Sequence, residues 1–215
     1  MNDPGDAQRL RLALVFGGRS QEHQVSVVSA RAVARAVDGD RYRAIPMAID
    51  RSGRWADGET SRRVLADSGD RTDQVVEFSG CHGIDPRLVA REVDVAFPVL
   101  HGPFGEDGTI QGVFEMLDLP YVGCDHAASA VCMDKVIAKR LLVEAGLSTA
   151  PWREFNHLQW QQHPGTARVE VAELGFPLFV KPVRLGSSVG ISRVTDPQDL
   201  DPAIRAAFVH DDRVI

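Results

Sequence analysis

The spacing of apolar residues switches between two periods along this chain, and each switch marks an element. LRLALVF (10–16) is almost continuously apolar, the pattern of a strand buried on both faces, and Gly17-Gly18 ends it. From Ser26 to Val37 the period turns helical, with Val27, Val28, Ala30, Val33, Ala34 and Val37 on one side. Asp38-Gly39-Asp40 closes that helix, and YRAIPMAI (42–49) predicts a second strand. Strand, helix and strand in this order predict a parallel α/β unit. Residues 51–74, rich in Arg, Asp, Gly and Ser, predict a loop or a weak hairpin, and Asp85 to Arg91 a short helix. VDVAFPVL (93–100) predicts the next strand, His101 to Gly108 a glycine-rich loop, Thr109 to Asp118 a helix, and LPYVG (119–123) a short strand-like link.

Past Gly123 the character changes, which predicts a domain boundary near residue 124. Asp134 is placed to cap a helix reaching Ala145, with Gly146 as its stop. Residues 156–166 predict a polar loop and ARVEVAEL (167–174) a helix. FPLFVKP (176–182) and VGISRV (189–194) predict a hairpin, and Asp196-Pro197 starts a helix running to about Val209. There are no internal repeats and no low-complexity tracts.

Composition narrows the class. A chain of 215 residues and 23.5 kDa holds one large domain or two small ones. A net charge of -6 and a pI near 5.6 argue against nucleic acid or an acidic membrane as the main partner. No run of 18 uncharged apolar residues occurs, and MNDPGDAQRLR at the start has no apolar signal core. Cys81, Cys124 and Cys132 show no C-x-x-C spacing and read as reduced cysteines of a cytoplasmic protein. The histidines are scattered without zinc-ligand spacing, so no metal site is expected. Only three of the 24 basic residues are lysine: Lys135, Lys139 and Lys181. Where arginine is the default, a surviving lysine hints at a need for a compact point charge.

Four stretches are candidates for chemistry. GGRSQEHQVS (17–26) follows the first strand and opens the first helix, so free N–H groups there can face an anion; Glu22 and His23 sit on its lip. A plain strand–helix turn would look much the same. HGPFGEDGTIQG (101–112) lies at a strand's C-terminal end, where open α/β sheets build sites. Glu106 and Asp107 read there as helix-start acids, while His101 is the better chemical candidate. MDKVIAKRLL (133–142) puts Lys135 in a helix's first turn, unfavourable for a cation unless it reaches an anion or solvent. VKPVRLGSSVG (180–190) places Lys181 before a loop in which Gly186 and Gly190 bracket Ser187 and Ser188. It is not a P-loop, where the lysine follows the glycines and precedes a helix. It is either a lid over an anion or a flexible hairpin turn with a solvated lysine.

Together and in this order, GG-x-S-x-E-H-x-V-S, HG-x-x-GEDG-x-x-QG, MDK-x-x-x-K and VKP-x-x-x-GSS-x-G resemble the D-alanine–D-alanine ligases, an ATP-grasp family. The resemblance runs from Leu12 to Ile215, and its first two motifs separate this family from other ATP-grasp enzymes such as biotin carboxylase or glutathione synthetase. It implies a Rossmann-like, pre-ATP-grasp open parallel α/β domain over 1–124, followed over 125–215 by the first, α+β half of an ATP-grasp domain. It implies that ATP phosphorylates one D-alanine and a second D-alanine attacks the acyl phosphate, giving a dipeptide for peptidoglycan synthesis in the cytoplasm. Glu22 would hold the first D-alanine's ammonium, Ser187 would orient Glu22, and His101 would line the pocket. Lys135 and Lys181 would bind ATP phosphates beneath the loop of Gly186, Ser187, Ser188 and Gly190. The family is usually homodimeric and continues for roughly another hundred residues that carry the Mg2+ carboxylates. On that footing the chain is expected to be a fragment or a truncated, inactive remnant; a D-alanine–D-lactate ligase is the alternative enzyme.

Overall fold

A computed structural model of the chain describes residues 9–66 and 91–215. These fall into two compact units, Met1–Ser129 and Ala130–Ile215. The predicted helix at Asp85 to Arg91 falls almost wholly outside the described residues, as does Cys81.

The first unit is built on a three-stranded parallel sheet of order β2-β1-β3, with β1 at Leu10–Gly17, β2 at Tyr42–Ile49 and β3 at Val95–Pro98. β1 pairs with β2 from Leu10↔Tyr42 to Gly17↔Ile49, and with β3 from Leu12↔Val95 to Val15↔Pro98. Successive side chains leave a strand on opposite faces. Ala13 and Val15 therefore pack with Met47, Ile49, Ile110 and Phe114, while Leu14 and Phe16 pack with Val27, Ala30, Ala48 and Val64. Helices α1 (His23–Ala36) and α2 (Gly58–Ala66) supply the second face, and α3 (Thr109–Met116) the first. Cover on both faces is why the whole run Leu12–Phe16 can be apolar. Complete burial of a side chain such as Leu14 or Phe16 contributes about 1.5–3 kcal/mol.

Two expectations for this unit need correction. Residues 58–66 form α2 where a loop or weak hairpin was predicted. The Asp57 carboxylate accepts from the Thr60 amide at 2.7 Å and caps the first turn. The inner face carries Thr60 and Ser61 beside Val64, all buried, so its helical period is masked by hydroxyl residues. Helix α1 starts at His23, before the predicted Ser26, because His23 and Gln24 are polar yet buried. The link at 119–123 does pair with the sheet, through a parallel bridge of Tyr121 to Ala96.

Helix α4 (His126–Met133), which the periodicity did not signal, leads into the second unit. There α5 (Lys135–Glu144) begins where expected, with the Asp134 carboxylate accepting from the amides of Val136 and Ile137 at 3.0 and 2.9 Å. The polar loop predicted at 156–166 is instead α6 (His157–Gln162) and the start of α7 (Pro164–Ala172). Asn156 and Gln159 form a reciprocal capping box, and Trp160 fills the core from an otherwise polar stretch. Strands β4 (Phe155–Asn156), β5 (Leu178–Val180), β6 (Ser192–Val194) and β7 (Arg213–Val214) pair as two antiparallel ribbons, β5 with β6 and β4 with β7. The first ribbon is the predicted hairpin. Helix α8 (Leu200–Phe208) closes the core by packing Leu200, Ala203, Ile204 and Ala207 against Val180, Val194 and Val214. A parallel α/β unit followed by an α+β unit is the architecture that the pattern and the resemblance imply. No helix among the described residues is long and apolar enough to cross a membrane.

Candidate functional site

In the first unit the turn between β1 and α1 is held from beneath by buried polar groups. The Ser26 hydroxyl accepts from the Gly17 amide at 2.8 Å and donates to the Val99 carbonyl at 2.6 Å. It thereby ties the C-terminal ends of β1 and β3, whose adjoining loops carry Glu22 and His101. His23, 1% exposed, donates from Nδ1 to the Gly18 carbonyl at 2.7 Å. Burial holds its pKa below the usual histidine value, so the ring is a neutral structural donor on the loop.

The two loops meet at Gly102. It has φ +69, and a Cβ there would lie 2.5 Å from Oε2 of Glu22. Glu22 and the His101–Gly102 corner, far apart in sequence, are thus side by side. The Glu22 amide donates to Ser20 Oγ at 3.0 Å. Half-buried His101 places Nε2 3.2 Å from Ser29 Oγ on α1 and borders a cavity of about 180 Å3 with Gly18, Trp55 and Phe104. Glu106 and Asp107 serve the loop itself. Glu106 accepts from the Gly102 amide at 2.6 Å, and Asp107 from the amides of Phe104 and Thr109 at 2.8 and 3.0 Å.

The second unit gathers all three lysines of the chain. Lys135, on the first turn of α5, donates from Nζ to the carbonyls of Pro182 and Val183 at 3.1 and 3.2 Å, and to that of Leu185. Its ammonium is thus seated on the turn that leads into the glycine-serine loop. Lys139, one turn on, donates to the Ala150 carbonyl at 2.8 Å and lies 5.1 Å from the centre of the Trp152 ring. Lys181 leaves the end of β5 with Nζ 5.7 Å from the Phe179 ring centre. Burial first, and the Lys181 charge second, lower the pKa of both Lys135 and Lys139. Lys139 and Lys181 line a cavity of about 330 Å3 whose other walls include Trp152, Phe179 and Val214. Such a place suits an anion joined to a flat apolar group.

The loop at 186–190 holds Ser187 and Ser188 at φ 47 and 62 and Gly190 at φ +68. A Cβ at Gly190 would meet His210 at 2.7 Å and Pro182 at 2.8 Å. Sequence reasoning assigned no role to Ser26 or Lys139, although both stand inside the quoted motifs and lysine is scarce in this chain. Among the described residues no group of three or more His, Cys, Asp or Glu side chains could hold a metal ion.

The comparisons agree with the motifs. The family model described as "D-ala D-ala ligase N-terminus" matches residues 11–124, and "D-ala D-ala ligase C-terminus" matches residues 141–215. The D-alanine–D-alanine ligase of Pseudarthrobacter chlorophenolicus is 44% identical over an alignment covering 99% of this chain and 60% of that protein. That of Paenarthrobacter aurescens is 45% identical, with 96% and 59% covered. Among solved structures, the VanG D-Ala:D-Ser ligase of Enterococcus faecalis superposes with TM-score 0.72 at 37% identity, covering 96% of this chain and 62% of that one. The D-alanine–D-alanine ligase of Coxiella burnetii gives TM-score 0.75 at 30% identity, covering 97% and 61%. The chain spans about 60% of the length of these curated relatives. With both family models matched in order, and the motif residues gathered at two loops and a lysine cluster, the chain belongs to the D-alanine–D-alanine ligase family.

Proposed function

We propose that this chain provides the phosphate-handling and first-substrate parts of an ATP-dependent ligase that joins two D-alanines for peptidoglycan synthesis. The observation that carries the reading is that Lys139 and Lys181 line one cavity while Lys135 is seated on the turn that enters the Gly186–Gly190 loop. In an arginine-rich chain, compact ammonium charges around one cavity suit a phosphate chain. Lys181 and Lys135 supply charge to ATP phosphates, Gly186, Ser187, Ser188 and Gly190 cover them, and the apolar walls take the base. In the first unit Glu22 binds the ammonium of the first D-alanine, and His101 borders its pocket.

The reaction divides into two steps. The first D-alanine's carboxylate takes the terminal phosphoryl group of ATP, and the second D-alanine's amine then displaces phosphate. Neither step needs a protein nucleophile, so the residues act by position and charge. Magnesium, which the resemblance implies, finds no donor set among the described residues. The curated relatives support the dipeptide over the depsipeptide product. Homodimerisation and a cytoplasmic location belong to the same reading.

The test is D-alanine-dependent phosphate release from ATP, measured on this chain and on one extended to its relatives' length. Lys181→Ala is expected to weaken ATP binding by about tenfold or more, the scale of one lost charge-assisted contact. Equal ATP affinity by calorimetry would remove Lys181 from the phosphate site. Phosphate release that ignores D-alanine would remove the ligase reading.

A further inference from the structure

One buried carboxylate of the second unit, Asp211, stands outside the lysine cluster yet is built into the base of the glycine-serine loop. Its side chain is 3% exposed. Oδ2 accepts from the Arg184 amide at 2.7 Å and from Arg184 Nε at 3.3 Å. Oδ1 accepts from Arg184 Nη2 at 2.6 Å and from the Arg213 amide at 3.1 Å. Arg184 Nη2 also pairs with Asp212. A cation serves the same turn: Lys135 holds the carbonyls of Pro182, Val183 and Leu185. Of the four residues before Gly186, three are therefore held through their carbonyls and the fourth, Arg184, through its amide and its guanidinium.

The two anchors are themselves joined. Arg213, whose amide Asp211 accepts, places Nη1 2.6 Å from Asp134 Oδ2. Asp134 caps α5, whose first residue is Lys135. The circuit Asp211–Arg213–Asp134–Lys135 closes around the turn, and charge-assisted bonds of this kind are the stronger ones. The loop that leaves this turn needs such a base. Ser187 and Ser188 lie consecutively in the left-handed region, at φ 47 and 62. Non-glycine residues persist there only when their surroundings over-determine them.

We propose that Asp211 is a positioning residue. By fixing residues 182–185 it holds Gly186–Gly190 in the shape that receives an anion; this rests on the ligase reading, in which the anion is the phosphate chain of ATP. Asp211 touches neither substrate and acts through Arg184 and the turn. Asp211→Asn keeps the shape but replaces one acceptor oxygen by a donor that faces Arg184 or Arg213.

In the nucleotide-free protein, hydrogen exchange of the amides at 186–190 is expected to accelerate about tenfold or more in this variant, with exchange in α1 as internal reference. ATP affinity by calorimetry is expected to weaken by a similar factor, about tenfold, while D-alanine saturation stays within about twofold. Arg184→Lys, which keeps the charge but loses the fork, is expected to fall between the two and serves if Asp211→Asn does not fold. Wild-type loop exchange and ATP affinity, with any loss confined to the melting temperature, would overturn the assignment. If the unaltered protein binds no ATP, the ligase reading fails, while the loop-exchange comparison still decides the role of Asp211.

Discussion

Gly102→Ala tests the meeting of the two first-unit loops, and its size can be worked from the geometry. The new Cβ would sit 2.5 Å from Glu22 Oε2, where ordinary contact begins at 3.4 Å. The carboxylate must therefore retreat by about 0.9 Å, since Ser20 Cβ and Oγ, at 3.4 and 3.5 Å, already lie at contact and need not move. The backbone cost is that of one alanine at φ +69, about 1–2 kcal/mol, which a stability of about 5–15 kcal/mol tolerates. A misplacement of about 1 Å in a substrate-holding group costs on the order of a hundredfold. In the chain extended to its relatives' length, Gly102→Ala is thus expected to fold but to need on the order of a hundredfold more D-alanine for half-saturation of phosphate release, with ATP saturation unchanged. Gly146→Ala is the control, because Gly146 has φ +76 and nothing within 4 Å of a Cβ. It has the backbone cost without the collision. If both variants saturate with D-alanine alike, Glu22 is not the group that holds the first substrate at Gly102.

Two further outcomes concern the frame beneath the turn. Ser26→Ala removes a hydroxyl that serves Gly17 and Val99 inside the core. Two groups left unsatisfied at about 1–3 kcal/mol each imply a loss of at least about 2 kcal/mol, read by urea unfolding with Trp55 fluorescence; a loss below about 0.5 kcal/mol would contradict the tie. His23 has a folded pKa below its ordinary value of 6.5 because it is buried. The unfolded chain then binds a proton more readily, so its contribution to stability is present above pH 6.5 and is lost as pH falls through the folded value. His23→Gln is expected to flatten the slope of melting temperature below pH 6.5, and an unchanged slope would place that titration elsewhere.

How far the chain could be read in advance depended on whether the deciding interaction was local. The strand at Leu10–Gly17 was legible because a side chain buried on either face must be apolar whichever neighbour covers it. Asp134 was legible as a cap because its partners, the Val136 and Ile137 amides, lie two and three residues on. Helix α2 was not, since Thr60 and Ser61 look like surface residues until Ser61 is found accepting from the Ala48 amide across 13 positions. The stretch at 156–166 misled for a related reason: its capping box is polar and only Trp160 turns inward.

The main strands, the helices with a clear apolar period, the three glycine-bearing turns and the residue types on them belong to the amino-acid sequence, because periodicity and turn geometry act over a few residues. Folding in three dimensions assigned the partners. It laid the carboxylate of Glu22 against Gly102, and it drew Lys135 onto carbonyls 47 to 50 positions away. It also turned Asp211 from one acid among many into the anchor of Arg184, 27 positions away. A carboxylate or ammonium reads the same in a sequence whether it faces water or a backbone group. Only the packed chain removes the water and leaves particular partners within reach.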